Sequence, residues 1–270
     1  MIFGGDMMFD RYIRRILEMY GAEYLFSCIT PTLSEADMVV ANLEGPITNN
    51  PSVSSGSVIG SPENFIFTFP SYTAELLQYH NIGIVHIGNN HIGNFGMEGI
   101  RETHMYLKDA GVQYFGVTKD TLETKIKDVP LTFVSYNEFG GDKSARVTAD
   151  IADAKRKGRV VVVFAHWGDE YVSTPDRVKQ LARDFADAGA HVVVGAHPHV
   201  VQKSEYYNGA VIYYSLGNFI FDQYFNAEVR SGLLLEITFS KQGVSGLKEV
   251  PIELVADGRT CLADTSREVR

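Results

Sequence analysis

The sequence predicts an α/β fold with largely parallel central strands. Apolar, β-rich runs alternate with segments of helical period along most of its 270 residues, the pattern left by strand, crossover and next strand. Hydrophobic residues at 45% and charged residues at 21% are ordinary for a soluble globular chain, and an aromatic content of 11% is too high for a disordered one. The length suits one large α/β domain or two small ones. No stretch reads as a linker, so residues 1–270 are expected to form a single domain.

Each element has its own signal. Ile2 to Gly5 is a short strand ending at Asp6. The helix after it, from about Phe9 to Tyr20, has Tyr12, Ile13, Ile16, Leu17 and Tyr20 on one face and Gly21 as its stop. Met38 to Ala41 is a buried-type strand running into Asn42-Leu43-Glu44-Gly45. Residues 49–62, rich in Ser, Gly and Pro, are an irregular loop of the kind that shapes a site entrance. Tyr72 to Tyr79 is helical, with His80 expected as a solvated complement to the helix dipole. Ile82 to Ile87 is a strand that ends in Gly88-Asn89-Asn90-His91, and Met97 to Ala110 is a helix closed by Gly111. Gln113 to Phe115, Lys125 to Lys127 and Leu131 to Tyr136 are further strands.

A helix near Asp150 to Lys157 precedes the strongest strand, Arg159 to Ala165, which ends in His166-Trp167-Gly168-Asp169-Glu170. Thr174-Pro175 opens a helix reaching Ala188, with Pro in the first turn. Val192 to Val194 then delivers Gly195-Ala196-His197-Pro198-His199-Val200, and Ala210 to Tyr214 leads to Ser215-Leu216-Gly217-Asn218-Phe219. Gly232 to Ser240 and Lys248 to Val255 resemble antiparallel closing strands.

The net charge of −9 argues against broad contact with nucleic acid or an anionic membrane, because no basic surplus exists to neutralise phosphates. Cys28 and Cys261 are too few for a disulfide framework and are expected as two free thiols. No apolar run approaches the ~20 residues that cross a bilayer. The start, Met1-Ile2-Phe3-Gly4-Gly5-Asp6, has neither a basic nor a long apolar leader region. The expectation is a soluble chain, cytoplasmic by the absence of a signal, or extracellular and cell-envelope where a signal or anchor has been removed.

Asp6, Glu44, Asn90, His166 and His197 each follow an apolar run, and ligands of open α/β sheets gather at the carboxyl ends of strands. Singly, Asp6 reads equally as a helix cap, Glu44 as a solvated turn residue and Asn90 as a left-handed turn. Jointly, with the His-x-His pair at 197 and 199, they point to a metal site. Oxygen and nitrogen donors without thiolate suit Mn, Fe or Zn, and a shared carboxylate suits two ions about 3.5 to 4 Å apart. Such ions would hold an anionic group that this acidic chain otherwise repels. Of the other histidines, His104 is expected on a helix surface, His191 away from the site, and His86 either as a satisfied core residue or behind a ligand.

In order along nearly the whole chain, Asp6 with Arg11, Asn42-Leu43-Glu44-Gly45-Pro46, Asn89-Asn90-His91 with Gly96, His166-Trp167-Gly168 with Glu170, Gly195 to Val200 with Gln202, and Ser215 to Phe219 stand in the sequence. Together they resemble the CapA family of bacterial poly-γ-glutamate capsule biosynthesis proteins. That family is similar to the calcineurin-like metallophosphoesterases, which implies a four-layer αββα sandwich of two mixed sheets with a metal site at their shared edge. The resemblance implies Asp6 and His199 on a first metal, Glu44 as the bridge, Asn90, His166 and His197 on a second, and His91 as general acid. Arg11, Asn42, Glu170 and Asn218 would line the pocket. Met8 stands where such enzymes usually have a histidine ligand, and Asn94 where they have an aspartate beside the catalytic histidine.

The function implied is a metal-dependent, phosphoesterase-like hydrolase of capsule or poly-γ-glutamate metabolism, with one or two divalent ions. Its substrate would be an anionic small molecule or polymer, and membrane-bound capsule-synthesis proteins are the partners implied. The alternative is a non-catalytic component that binds or exports an anionic polymer.

Overall fold

The computed structural model describes residues 1–264. In chain order come β1 (Ile2–Met7), α1 (Arg11–Tyr20), α2 (Thr30–Ser34), β2 (Val39–Leu43), α3 (Thr73–Tyr79), β3 (Ile82–His86), α4 (Gly96–Asp109) and β4 (Gln113–Phe115). A second run follows: β5 (Thr121–Ile126), β6 (Val129–Asn137), α5 (Ser144–Arg156), β7 (Val160–His166), α6 (Asp176–Ala188), β8 (Val192–Ala196), β9 (Ser204–Tyr207) and β10 (Ala210–Tyr213). The chain closes with β11 (Asn218–Ile220), α7 (Ala227–Arg230), β12 (Ser231–Ser240), β13 (Gly243–Leu254) and β14 (Thr260–Leu262).

Two mixed sheets result. One has the order β14-β13-β12-β1-β2-β3-β4 with β11 beside β1, and the other β5-β6-β7-β8-β10-β9. Strands β1 to β4 run parallel, as do β6, β7, β8 and β10, while hairpins finish the edges antiparallel. Phe3, Val40, Ile84 and Phe115 of the first sheet share one buried cluster with Phe133, Val162, Phe164 and Val194 of the second, so the sheets pack face to face. The opposite face of the first sheet meets Ile13, Leu17, Leu77 and Leu107 from its helices. That of the second meets Val147, Ile151, Ala182 and Phe185 of α5 and α6. The two mixed sheets implied by the resemblance are observed, and their packing is consistent with the αββα layering. Among the described residues no helix is long and apolar enough to cross a membrane.

Several boundaries differ from the expected ones. Helix α5 begins at Ser144 rather than near Asp150, because Val147 extends the buried face that Ile151 and Ala154 continue. The strand expected at Lys125 to Lys127 is the end of β5, which pairs with β6 across a tight turn where Lys127 has φ 50°. Strand β11, too short for a periodic signal, is added beside β1.

The expectation of two free thiols is overturned: Cys28 and Cys261 form a disulfide, with Cα atoms 4.8 Å apart. Spacing along the chain could not reveal it, because β14 reaches Cys28 only through its pairing with β13. Two histidine readings also change. His104 stacks on Tyr114 at 4.4 Å and its Nε2 is buried without a partner. His80 is buried rather than solvated, its ring stacked 4.3 Å from that of Phe26.

Burial pushes the His80 imidazole down to about 4. Between the ordinary value near 6.5 and that one, the unfolded chain binds a proton that the fold refuses. Stability is therefore present in full above about pH 6.5 and falls as pH drops toward 4, by about 1–3 kcal/mol. His80→Phe removes the titration and loses the 3.0 Å contact of Nδ1 with Thr30 Oγ1 but nothing at Nε2, so the comparison rests on how stability changes with pH and not on its absolute value. Urea unfolding at pH 7 and pH 5 is expected to show a smaller loss for the variant than for the wild type. Equal losses would show that His80 titrates normally.

Candidate metal centre

Strand register assembles the site before any side chain is considered. Asp6 at the end of β1 lies opposite Asn42 of β2 on one side and Asn218 of β11 on the other. In the second sheet His166, the last residue of β7, lies opposite Ala196, the last of β8, and His197 and His199 follow directly. Parallel strands end at the same edge, so both sheets deliver their polar ends to one place. Gly5 and Gly195 precede these ends, and in each case an added Cβ would overlap a backbone carbonyl oxygen, Gly217 for the first and Tyr214 for the second.

The side chains converge there. Asn42 Nδ2 donates to Asp6 Oδ1 at 2.7 Å and also to Glu44 Oε2. His166 Nε2 is 2.7 Å from Asn90 Oδ1 and 3.4 Å from Glu44 Oε1. Asp6 Oδ2 accepts the His197 backbone N–H at 3.0 Å and lies 3.4 Å from His199 Nδ1. His199 Nδ1 is also 2.9 Å from Asn218 Oδ1, and Asn218 Nδ2 is anchored by the Val229 carbonyl. His197 and His199 hold left-handed backbone, φ 98° and 57°, a cost tolerated where the surroundings fix it.

Two sets of donors lie within 4.8 Å of one another: Glu44 with His197 and His199, and Asp6 with Glu44 and His166. Glu44 belongs to both, as expected of a bridging carboxylate. The division of the others differs from that implied by the resemblance, which pairs His199 with Asp6, and His197 with His166. The Asp6–His199 and His166–Asn90 proximities keep all six in one continuous cluster.

Electrostatics matches a cation site. Burial, then the charge of Asp6, pushes the Glu44 carboxyl well above the carboxylate range. Burial opposes ionisation of Asp6 too, yet the His199 hydrogen bond and charge, with the His197 N–H and Asn42 amide, hold it below its ordinary value. His166 is pushed well down by burial and then by its histidine neighbours, and burial lowers His197 to about 4, leaving neutral imidazoles suited to coordination. His199 is held up, because Asp6 outweighs its burial. Glu44 Oε1 and His197 Nδ1 are buried with no hydrogen-bond partner. Buried orphan acceptors are rare in native proteins, and a divalent ion would satisfy both. The residues present therefore fit a divalent metal.

The remaining expected residues surround this cluster. His91 Nδ1 is 3.1 Å from the Phe65 carbonyl oxygen and 3.3 Å from Asn94 Oδ1. Asn94 also accepts the Phe67 N–H at 2.8 Å, so the residue in the aspartate's place still orients the imidazole. Burial pushes His91 down to about 4. Met8 is fully buried and its sulfur accepts the Asp10 N–H at 3.0 Å, a structural duty. Glu170 is exposed beside the site, where its charge acts on Glu44, His197 and His199. Arg11 pairs with Asp222.

Sequence reasoning did not find Asp222, Phe139, Tyr171 or Gln223. The Phe139 ring, half exposed, lies 4.3 Å from that of His197 and 5.7 Å from that of His166. Tyr171 lies 6.0 Å from the His199 ring, and Gln223 bridges its hydroxyl to Asn218. Only Asp222 carried a usable signal, as a carboxylate just past the Ser215 to Phe219 motif. His86 is a core residue bonded to Ser135 at 2.9 Å, and His191 accepts the Val161 N–H away from the site.

The family described as bacterial capsule synthesis protein PGA_cap matches residues 1–223. The chain belongs to that family. Within it, the chain is 30% identical to the PGA biosynthesis protein CapA of Bacillus subtilis (strain 168), over 93% of its own length and 70% of that protein's. It is 28% identical to the capsule biosynthesis protein CapA of Bacillus anthracis, over 93% of its length and 66% of that protein's. The chain thus spans about two thirds of the length of these curated relatives. Among solved structures, a Thermus sulfate thiohydrolase SoxB superposes with a TM-score of 0.49 at 11% identity, covering 86% of this chain and 42% of that one.

Proposed function

We propose that this chain is a metal-dependent hydrolase of an anionic ester or related acid derivative in capsule or poly-γ-glutamate metabolism. The observation that carries this is the buried, unpartnered Oε1 of Glu44, common to two sets of metal-ligating side chains. Asp6, Glu44, Asn90, His166, His197 and His199 would hold one or two ions, with Mn, Fe or Zn suiting the donors. A divalent ion there would supply Lewis acidity and lower the pKa of a water at neutral pH.

The chain's own residues supply the rest. Asn42 fixes the Asp6 and Glu44 carboxylates against each other. Asn218 fixes the His199 ring. His91, with Nδ1 engaged by the Phe65 carbonyl, keeps Nε2 to hand a proton to a leaving oxygen; an anion beside it favours the charged form it needs. Phe139 and Tyr171 set aromatic rings beside His197 and His199. The link to capsule polymer rests on the family and on the relatives' names.

The test is turnover of generic phosphomonoesters and phosphodiesters by purified protein with added Mn²⁺. Turnover is expected, and His197→Ala is expected to lower it by at least ~100-fold, more than loss of a residue behind a ligand typically does. A well-folded wild type that takes up no metal and turns over none of these substrates would sink the proposal. Binding of poly-γ-glutamate without turnover would favour a polymer-binding component.

A further inference from the structure

Arg11 is held more elaborately than a surface arginine needs to be. Its Nη2 donates to Asp222, with side-chain exposures of 13% and 9%. Its guanidinium lies 5.1 Å from the Phe67 ring centre and 5.4 Å from that of Phe221. Each of those rings touches a site histidine in turn, Phe67 against His91 at 4.3 Å and Phe221 against His199 at 4.7 Å. A contact chain His91, Phe67, Arg11, Phe221, His199 thus spans the site with the cation at its middle. Arg11 also begins α1 in left-handed backbone, φ 50°, which a side chain adopts at a cost.

The fork is only partly used. Nε is buried and has no partner, although a guanidinium offers five donors in a plane. Asp222 is bound from the other side as well, since its Oδ2 accepts the Tyr12 N–H at 3.2 Å. The carboxylate is therefore anchored to the first turn of the helix that carries Arg11, and it fixes the orientation of the fork.

We infer that Asp222 is a positioning residue, holding Arg11 by Nη2 so that the free part of its fork grips an oxyanion of the substrate beside the metal cluster. This rests on the hydrolase reading above. The aromatic pair excludes water and blocks rotation, and the ion pair sets the register, so the anion meets a preorganised donor rather than a mobile cation. The ligand class is a phosphate or carboxylate oxyanion, matched by the planar fork. Lysine in place of Arg11 would keep the charge and lose the fork.

The experiment is calorimetric titration of the Mn²⁺-loaded protein with inorganic phosphate, for wild type, Arg11→Lys, Asp222→Asn and the double variant. The amide oxygen introduced by Asp222→Asn would still accept the Tyr12 N–H, so manganese content is expected to stay as in the wild type, while loss of the mostly buried ion pair lowers the thermal midpoint. Each single variant is expected to weaken phosphate binding about tenfold. The double variant is expected to be no weaker than Arg11→Lys alone, because Asp222 acts only through Arg11. A merely structural Asp222 would move the thermal midpoint and leave phosphate affinity alone. Additive losses, or unchanged affinity with manganese still bound, overturn the assignment of Asp222 and leave the metal centre standing. A wild type that binds neither manganese nor phosphate overturns both.

Discussion

Glu44→Gln is expected to make the metal-free protein harder to unfold and, at the same time, unable to hold metal. The two effects share one cause. Glu44 is fully buried, its Oε1 has no hydrogen-bond partner, and Asp6 is close enough for its charge to oppose ionisation. Without a cation, the fold carries a carboxyl group in a place that suits a neutral amide. Glutamine has the same shape, its carbonyl can accept from Asn42 as Glu44 Oε2 does, and its NH₂ puts an uncharged group where Oε1 stands without a partner. Relief of a buried unsatisfied group is expected to raise stability by about 1–3 kcal/mol. Function moves the other way, because Glu44 is the carboxylate common to both donor sets. An amide oxygen brings no negative charge, and manganese affinity is expected to fall by at least ~100-fold. Urea unfolding after chelation, beside metal analysis after manganese loading, reads both effects. A variant that is less stable without metal, or that retains wild-type manganese, contradicts the assignment of Glu44 to a cation.

That conflict between stability and site explains which parts of the molecule were legible in the sequence. Strand ends announce themselves because an apolar run such as Val160 to Phe164 must stop somewhere, and a polar cluster after it has no core to join. Asp6, Glu44, Asn90, His166, His197 and His199 can therefore be collected without structure, and the resemblance adds His91, Arg11, Asn42, Glu170 and Asn218. What brings them together, the register of Asp6 with both Asn42 and Asn218, depends on sheet order that local pattern does not encode. Phe139 and Tyr171 lie in loops between elements, and an aromatic in a loop has no periodicity to betray it. His80 differs for the reverse reason: a helix end looks solvated until Phe26 from a distant segment covers it. The Cys28–Cys261 bridge likewise joins segments that meet only through the β13–β14 hairpin.

The glycine before the His-x-His pair carries the second large expectation. Gly195→Ala adds one methyl group, yet that methyl would overlap the Tyr214 carbonyl oxygen and approach Trp167 Nε1 at 2.5 Å. Those two atoms are hydrogen-bonded to each other at 2.9 Å, and Trp167 is fully buried. Neither is the free end of a flexible chain, so β8 would have to move away from β10 or the indole would have to leave its place. Overpacking of this kind costs about 1–3 kcal/mol in a core that can adjust, and more where backbone is struck. A loss of at least ~3 kcal/mol is therefore expected. Displacement of β8 carries His197 and His199 with it, and displacement of Trp167 carries His166, so metal uptake is expected to fall as well. Gly168→Ala is the control. Its φ of +86° disfavours alanine, but the nearest atom to an added Cβ is Pro198 Cγ at 3.7 Å. Its loss is expected to be about 1 kcal/mol, from backbone conformation alone. Thermal melts of both variants, with manganese content measured alongside, separate a clash from a general intolerance of alanine near the site. If Gly195→Ala proves as mild as Gly168→Ala, close approach of β8 to Tyr214 is not what seats the histidines.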